Sequence, residues 1–216
     1  MCLALVLLSA ACHQASSADA GPALRTAAVA LRDEVPGYQQ LGTEWFTVPK
    51  LDSFYSKHWY LTEKDGKHER KAFVDAVTEA TRDYDAVDVF ILVLGNSAYV
   101  RWMEDVPAPQ RAKIRLVYNT GGGGASEASD WLRLGVHAYV AHPGNNVAPI
   151  FYVEFLKRWT EGETLDDSVD HANKYTKAKM YSTTGDVTSW AVEKVSGKKL
   201  DRAALWANTE AQIFRP

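Results

Sequence analysis

Residues Asp88 to Trp102 read DVFILVLGNSAYVRW. From Val89 to Leu94 every side chain is apolar. A run of that length without a polar face predicts a strand over Val87–Leu94 that is buried on both sides, as parallel strands between helical layers are. Gly95-Asn96-Ser97 ends it. A short helix from Tyr99 to Asp105 should follow, halted by Pro107 and Pro109.

The flanking sequence repeats this alternation. Upstream, Asp65-Gly66 marks a turn, after which Phe73, Val77 and Ala80 recur at helical spacing with Val74 beside them. Glu69, Arg70, Lys71, Glu79 and Arg82 make the polar side of that helix. Downstream, Ile114 to Tyr118 is a second buried strand, leading into Asn119-Thr120 and the glycines Gly121 to Gly124. Ser126 is placed to cap a helix through Leu134, with Gly135 at its end. Val136 to Ala141 reads as a third strand, closed by His142-Pro143-Gly144. Phe151, Phe155 and Trp159 stripe one helix that ends near Gly162, and Leu165, Val169 and Ala172 stripe another. Thr164 and Asp167 form a capping box for the latter. Helices alternating with buried strands predict an α/β fold: three layers, helix-sheet-helix, around a mostly parallel sheet of Rossmann-like topology. Residues 21–64 carry weaker signals, with strands expected at Phe46–Val48 and His58–Leu61. Beyond Tyr175 the chain is a polar extension with a closing helix from Arg202 to Gln212.

Residues 1–20 read as an export leader rather than part of the fold. Leu3 to Ala11 is an uncharged apolar run too short to cross a bilayer as a helix. Leu8-Ser9-Ala10-Ala11-Cys12 matches a bacterial lipobox, which makes Cys12 the lipidated first residue of the mature chain. Ala18-Asp19-Ala20 offers an ordinary signal peptidase site instead, giving a secreted or periplasmic protein. The lipoprotein is the favoured reading, with Gln14 to Gly21 as a polar tether. Residues 21–216 are then one α/β domain with ample apolar content for a core. A net charge of −3 provides no basic stripe for nucleic acid and no polybasic membrane patch. Cys2 and Cys12 are the only cysteines, so nothing beyond residue 12 can supply a thiolate nucleophile, a disulfide or a thiolate metal site.

Four stretches together resemble the caspase-like fold of caspases, metacaspases, gingipains and their bacterial relatives. They are DVFILVLGNSAYVRW, IRLVYNTGGGGASE (Ile114 to Glu127), LGVHAYVAHPGNN (Leu134 to Asn146) and FYVEFLKRWTEGETLDDSVDHAN (Phe151 to Asn173). The resemblance spans about residues 65–175. It implies a catalytic histidine after one buried strand and a catalytic cysteine after the next, meeting at the carboxyl edge of the sheet, where open α/β sheets place ligands. The histidine position falls near Leu94 to Asn96 and the cysteine position near Thr120 to Gly122. Leucine, glycine and asparagine cannot exchange a proton near neutral pH. Neither threonine nor glycine replaces a thiolate. The resemblance therefore implies a pseudo-peptidase, a scaffold whose two chemical positions are both substituted.

Such a scaffold would bind a peptide, a protein or a small anionic ligand in the old crevice, through Asn96, Ser97, Asn119, Thr120, Gly121, Gly122 and His142. The glycine run precedes a helix N-terminus, where free backbone N–H groups attract anions. It lacks the Gly-Lys-Ser/Thr of a P-loop and the G-x-G-x-x-G dinucleotide signature, so no cofactor is expected. A flexible crossover loop is the plainer account of the same residues. The alternative function is an active hydrolase with Thr120 or Ser126 as nucleophile and His142 as base. Ser97 and Ser129 are further hydroxyls, and neither these nor the others sit in a G-x-S-x-G elbow. Asp166, Asp167, Asp170 and His171 make an acidic cluster that charge–dipole stabilisation of a helix start explains without a metal. Tyr99, Trp102, Tyr118, Trp131, Tyr139 and Tyr152 surround the crevice, most of them as core.

Overall fold

The computed structural model describes residues 24–33, 35, 37–93, 99–144, 148–182, 185, 199 and 201–216. Cys12, Asn96 and Ser97 lie outside the described residues, as do the leader and its two cleavage sites. Six strands form one sheet: β1 (Thr26–Asp33), β2 (Lys57–Thr62), β3 (Ala86–Val93), β4 (Ile114–Asn119), β5 (Tyr139–Ala141) and β6 (Gln212–Phe214). Their order is β2-β1-β3-β4-β5-β6. The first five are parallel, and β6 runs antiparallel against β5 with Val140 opposite Ile213.

Helices cover both faces, which makes the domain a three-layer α/β structure. On one face lie α2 (Arg70–Asp83), α3 (Tyr99–Trp102) and α5 (Ala128–Arg133); the four-residue α4 (Ala108–Arg111) joins α3 to β4. Their Phe73, Val77, Tyr99 and Trp131 pack on Val29, Leu31, Val89, Ile91 and Val117. The other face carries α1 (Gly37–Phe54), α6 (Ala148–Thr160) and α7 (Leu165–Met180). There Leu51, Phe151, Phe155, Trp159 and Val169 pack on Ala28, Ala30, Phe90, Leu92 and Tyr118. Another helix, α8 (Arg202–Thr209), leads into β6. No helix of the described residues is long and apolar enough to cross a membrane.

The strongly patterned elements lie where the sequence places them, and the departures have physical causes. The interior strand β1 reads TAAVALRD, and alanine-rich sequence carries no strand signal of its own. Ala27, Ala28, Val29, Ala30 and Leu31 are all fully buried, because β2 and β3 pair on either side and helices press on both faces. Phe46–Val48, expected as a strand, instead lies within α1: burial of Thr47 and Leu51 beneath that helix overrides the local β-propensity. The third expected strand is shorter than Val136–Ala141, with only Tyr139–Ala141 in the ladder. Ser126 does not cap α5; it sits in a 3₁₀ turn, Gly124–Glu127, and its Oγ donates to Gly123 O at 2.8 Å. At the end of the chain, residues 210–212 leave the expected helix because pairing with β5 supplies backbone partners that a helix end would lack.

One bulge organises the floor of the sheet. Val87 pairs with Ile114 but Asp88 pairs with Leu116, so Arg115 is an extra residue on β4. Its guanidinium reaches Asp88, Nε to Oδ1 at 2.9 Å and Nη2 to Oδ2. Asp88 is fully buried, and its Oδ2 also accepts from Tyr55 OH at 2.6 Å and Trp159 Nε1 at 3.0 Å. Burial, followed by the Asp88 charge, holds the Tyr55 proton on well above the usual phenol range. Replacing Asp88 by alanine strands the Arg115 guanidinium and the Tyr55 hydroxyl, while Trp159 Nε1 keeps its bond to Tyr55 OH at 2.9 Å. Removal of one partner of such a buried charge pair costs about 3 kcal/mol or more. Urea unfolding of Asp88→Ala should show that loss as a lowered midpoint, with the slope unchanged.

Candidate functional site

β3 and β4 are paired neighbours, so their carboxyl ends lie side by side. β1 ends at the same edge on the other side of β3, with Asp33 opposite Val93. Asp33 accepts from Tyr99 OH at 2.8 Å, which ties the end of β1 to the first turn of α3. The order reverses direction between β1 and β3, the position at which doubly wound sheets open a crevice.

Of the residues singled out in sequence, Asn119, Thr120, Gly121, Gly122 and His142 lie together around the ends of β4 and β5. Their polar groups point mainly at one another and at the backbone. Thr120 Oγ1 accepts from Val93 N and donates to Val93 O, each at 2.9 Å. The hydroxyl thus prolongs the β3–β4 ladder by a side-chain pair where the backbone has begun to turn. Asn119 is fully buried, and its Oδ1 accepts from Gly121 N at 2.8 Å in an Asx-type turn. Its Nδ2 donates to Tyr139 OH at 3.2 Å and to Glu127 Oε2 at 3.4 Å.

The glycine run is shaped by close packing. A Cβ on Gly124 would stand 3.2 Å from Tyr139 OH, 3.3 Å from Ala141 Cβ and 3.3 Å from Asn119 Nδ2. Tyr139 OH also donates to Gly124 O at 2.9 Å. Gly123 turns the chain with φ of +77°, a conformation glycine adopts without strain. The amides of Gly121, Gly124, Ala125 and Ser126 bond to Asn119 Oδ1, Gly121 O, His142 O and Gly123 O. Those four N–H groups are spent within the fold. The following α5 has only six residues, so its dipole adds little to anion binding.

His142 is fully buried between β5 and the end of α8. Its Nδ1 faces Thr209 O at 2.5 Å, and a carbonyl only accepts, so Nδ1 carries the proton. Nε2 then accepts from Tyr118 OH at 3.0 Å. Burial pulls the imidazole down to about 4, against a smaller upward effect of the Thr209 carbonyl. Both ring nitrogens are occupied, neither by Thr120 nor by Ser126. The ring is neutral at physiological pH and pins the C-terminal segment to the sheet.

Glu127 is the residue that sequence reading passed over. It is half-buried at the mouth of the glycine loop, and burial pushes its carboxyl above the usual range while Trp131 and Asn119 oppose that. Trp131 Nε1 donates to its Oε2 at 3.4 Å. The available signal was its spacing, a carboxylate four residues before a tryptophan on one helical turn. The acidic cluster on α7 is dispersed among separate partners: Asp166 with Arg215, Asp170 with Lys174, His171 with Glu163, and Asp167 in the Thr164 cap. The expected aromatics line the core, with Tyr118 and Tyr152 on one face and Tyr99, Trp131 and Tyr139 on the other. Trp102 is partly buried against the second of these clusters.

The fold defines the class of the protein as a three-layer α/β domain with a mostly parallel sheet. No protein-family model, curated protein or solved structure matches the chain.

The depressed value of His142 makes a pH prediction. The unfolded chain takes up this proton below about 6.5, whereas the folded chain refuses it until about 4. The contribution is therefore complete above pH 6.5 and is lost as the pH falls to 4, amounting to about 3 kcal/mol at about 1.4 kcal/mol per pH unit. Unfolding free energies of wild type and His142→Gln, measured from pH 8 to 4, should diverge in slope by that amount over this window.

Proposed function

We propose that the chain is an exported, caspase-like domain that has given up peptidase chemistry and binds a peptide segment in its strand-end crevice. It is held at the bacterial cell envelope by a lipid on Cys12. The observation that carries this reading is the use made of Thr120. In the stretch where the resemblance puts the cysteine nucleophile, the one hydroxyl is closed into a reciprocal pair with the Val93 backbone. A hydroxyl whose proton is directed at a backbone C=O is not aimed at a base.

Other features support the same reading. β3 and β4 are adjacent strands, which is compatible with the resemblance. No cysteine follows residue 12. His142, the base of the alternative hydrolase, has a partner on each nitrogen and a value too low for a proton acceptor at neutral pH. The Glu127 carboxyl beside the loop, with the amides of Gly121, Gly124, Ala125 and Ser126 already engaged, favours a peptide over a small anion.

The test is a peptide library incubated with the purified mature chain from pH 5 to 8, followed by mass spectrometry of both the solution and the peptides retained on the protein. The expected result is no new peptide termini, together with a retained subset that Gly122→Tyr releases by filling the crevice. New termini that vanish in Thr120→Val or His142→Gln would overturn the proposal in favour of a hydrolase.

A further inference from the structure

The outer surface of α1 is unlike that of the other helices. Over its eighteen residues only Glu44, Lys50 and Asp52 are charged. Thr47 and Leu51 are buried beneath it, yet Trp45 and Phe46, side by side, are 73% and 52% exposed. Single exposed apolar residues are ordinary, but adjacent large aromatics on an outer helix mark a surface that meets something apolar. Trp45 is the only exposed tryptophan among the described residues. Pro49 stands on the same outer side and cannot donate to the Trp45 carbonyl four residues before it.

The charges around this surface are already paired within the protein. Glu44 lies 3.2 Å from Lys64, Lys50 3.7 Å from Glu161, and Asp52 3.4 Å from His58. A face with an aromatic pair and few charges, each in contact with a polar partner, suits the interface of an uncharged lipid bilayer, where tryptophan and phenylalanine rings settle at headgroup depth. Position agrees with this. Ser56, just past α1, donates its N–H to Thr26 O, so α1 ends beside the point where the chain enters the sheet. Phe46 is ten residues from Ser56, about 15 Å along a helix. From Cys12 to Leu24 an extended chain reaches about 40 Å.

We infer that the outer face of α1, through Trp45 and Phe46, is a membrane-contact surface that lays the domain on the bilayer to which its leader is anchored. This rests on the lipoprotein reading above for its tether, not for its chemistry. Because α1 covers one face of the sheet, the sheet lies along the bilayer, and the crevice at its carboxyl edge opens parallel to the membrane. Its peptide would then come from the layer next to the membrane.

The mature chain is reconstituted in phosphatidylcholine vesicles whose acyl chains carry bromine, a contact quencher of tryptophan fluorescence. Wild type should be quenched, Trp45→Phe should lose most of that quenching, and raised salt should leave it unchanged. Trp45→Phe quenched as strongly as wild type overturns the inference, as does a soluble dimer in sedimentation that dissociates on Trp45→Ser, which would assign the face to a second copy. The mass of the mature chain reports separately on the anchor. Quenching lost with Trp45 in an unlipidated chain keeps the surface and discards the tether. Its absence from a lipidated chain discards the surface alone.

Discussion

A carboxylate with no access to water sits in the floor of this sheet, and the rest of the domain is arranged to satisfy it. Asp88 receives two bonds from Arg115, one from the Tyr55 hydroxyl and one from the Trp159 indole. These come from β4, from the residue just past α1 and from α6, so a single charge fixes the strand register and the seating of two helices. The bulge at Arg115 sets the register beyond it, since a regular ladder continued from Val87 and Ile114 would pair Asp88 with Arg115 and Val89 with Leu116. The arginine also stacks over the Trp159 ring, 4.7 Å from its centroid, which covers the pair from the outside. Burial of an ion pair is weak evidence for stability as such. Its value here is that few alternative registers could supply all four donors.

The opposite edge of the sheet shows the same economy applied to a crevice. Thr120, Asn119, Tyr139 and His142 are types that elsewhere carry chemistry, yet each has its hydrogen-bonding capacity taken up by neighbours. Preorganised catalytic groups keep one position open for the substrate. Here the positions are filled from within, and the product is a stiff rim. His142 extends that rim to the C-terminal segment, which Asn173 also holds by a two-way amide pair with the backbone of Ala211.

How much of this could be read in advance varied with the type of signal. Helix α2, strand β3 and the capping box of Thr164 and Asp167 announce themselves because periodicity and end signals are local. β1 does not, since its alanines are chosen for the close approach of two helical layers that the sequence does not display. The strand-like Phe46–Val48 reads differently in isolation than on top of Leu51 and the sheet. Asn119, Thr120 and His142 were recognisable as strand-end residues, but their roles in hydrogen bonding were not, because their partners lie up to 67 residues away. Glu127 went unnoticed for a related reason: a carboxylate is unremarkable until burial raises its proton affinity.

Sequence by itself determined the layered α/β class, the alternation of elements from residue 65 to 175 and the absence of sulfur chemistry beyond residue 12. These follow from side-chain periodicity and composition, which are properties of short windows. Tertiary structure decided the strand order, the place of β1 between β2 and β3, the antiparallel β6 and the internal pairing of the polar groups at the ends of β4 and β5. Each of those depends on which distant groups meet, and that is set by packing of the whole chain around Asp88 and its two helical layers.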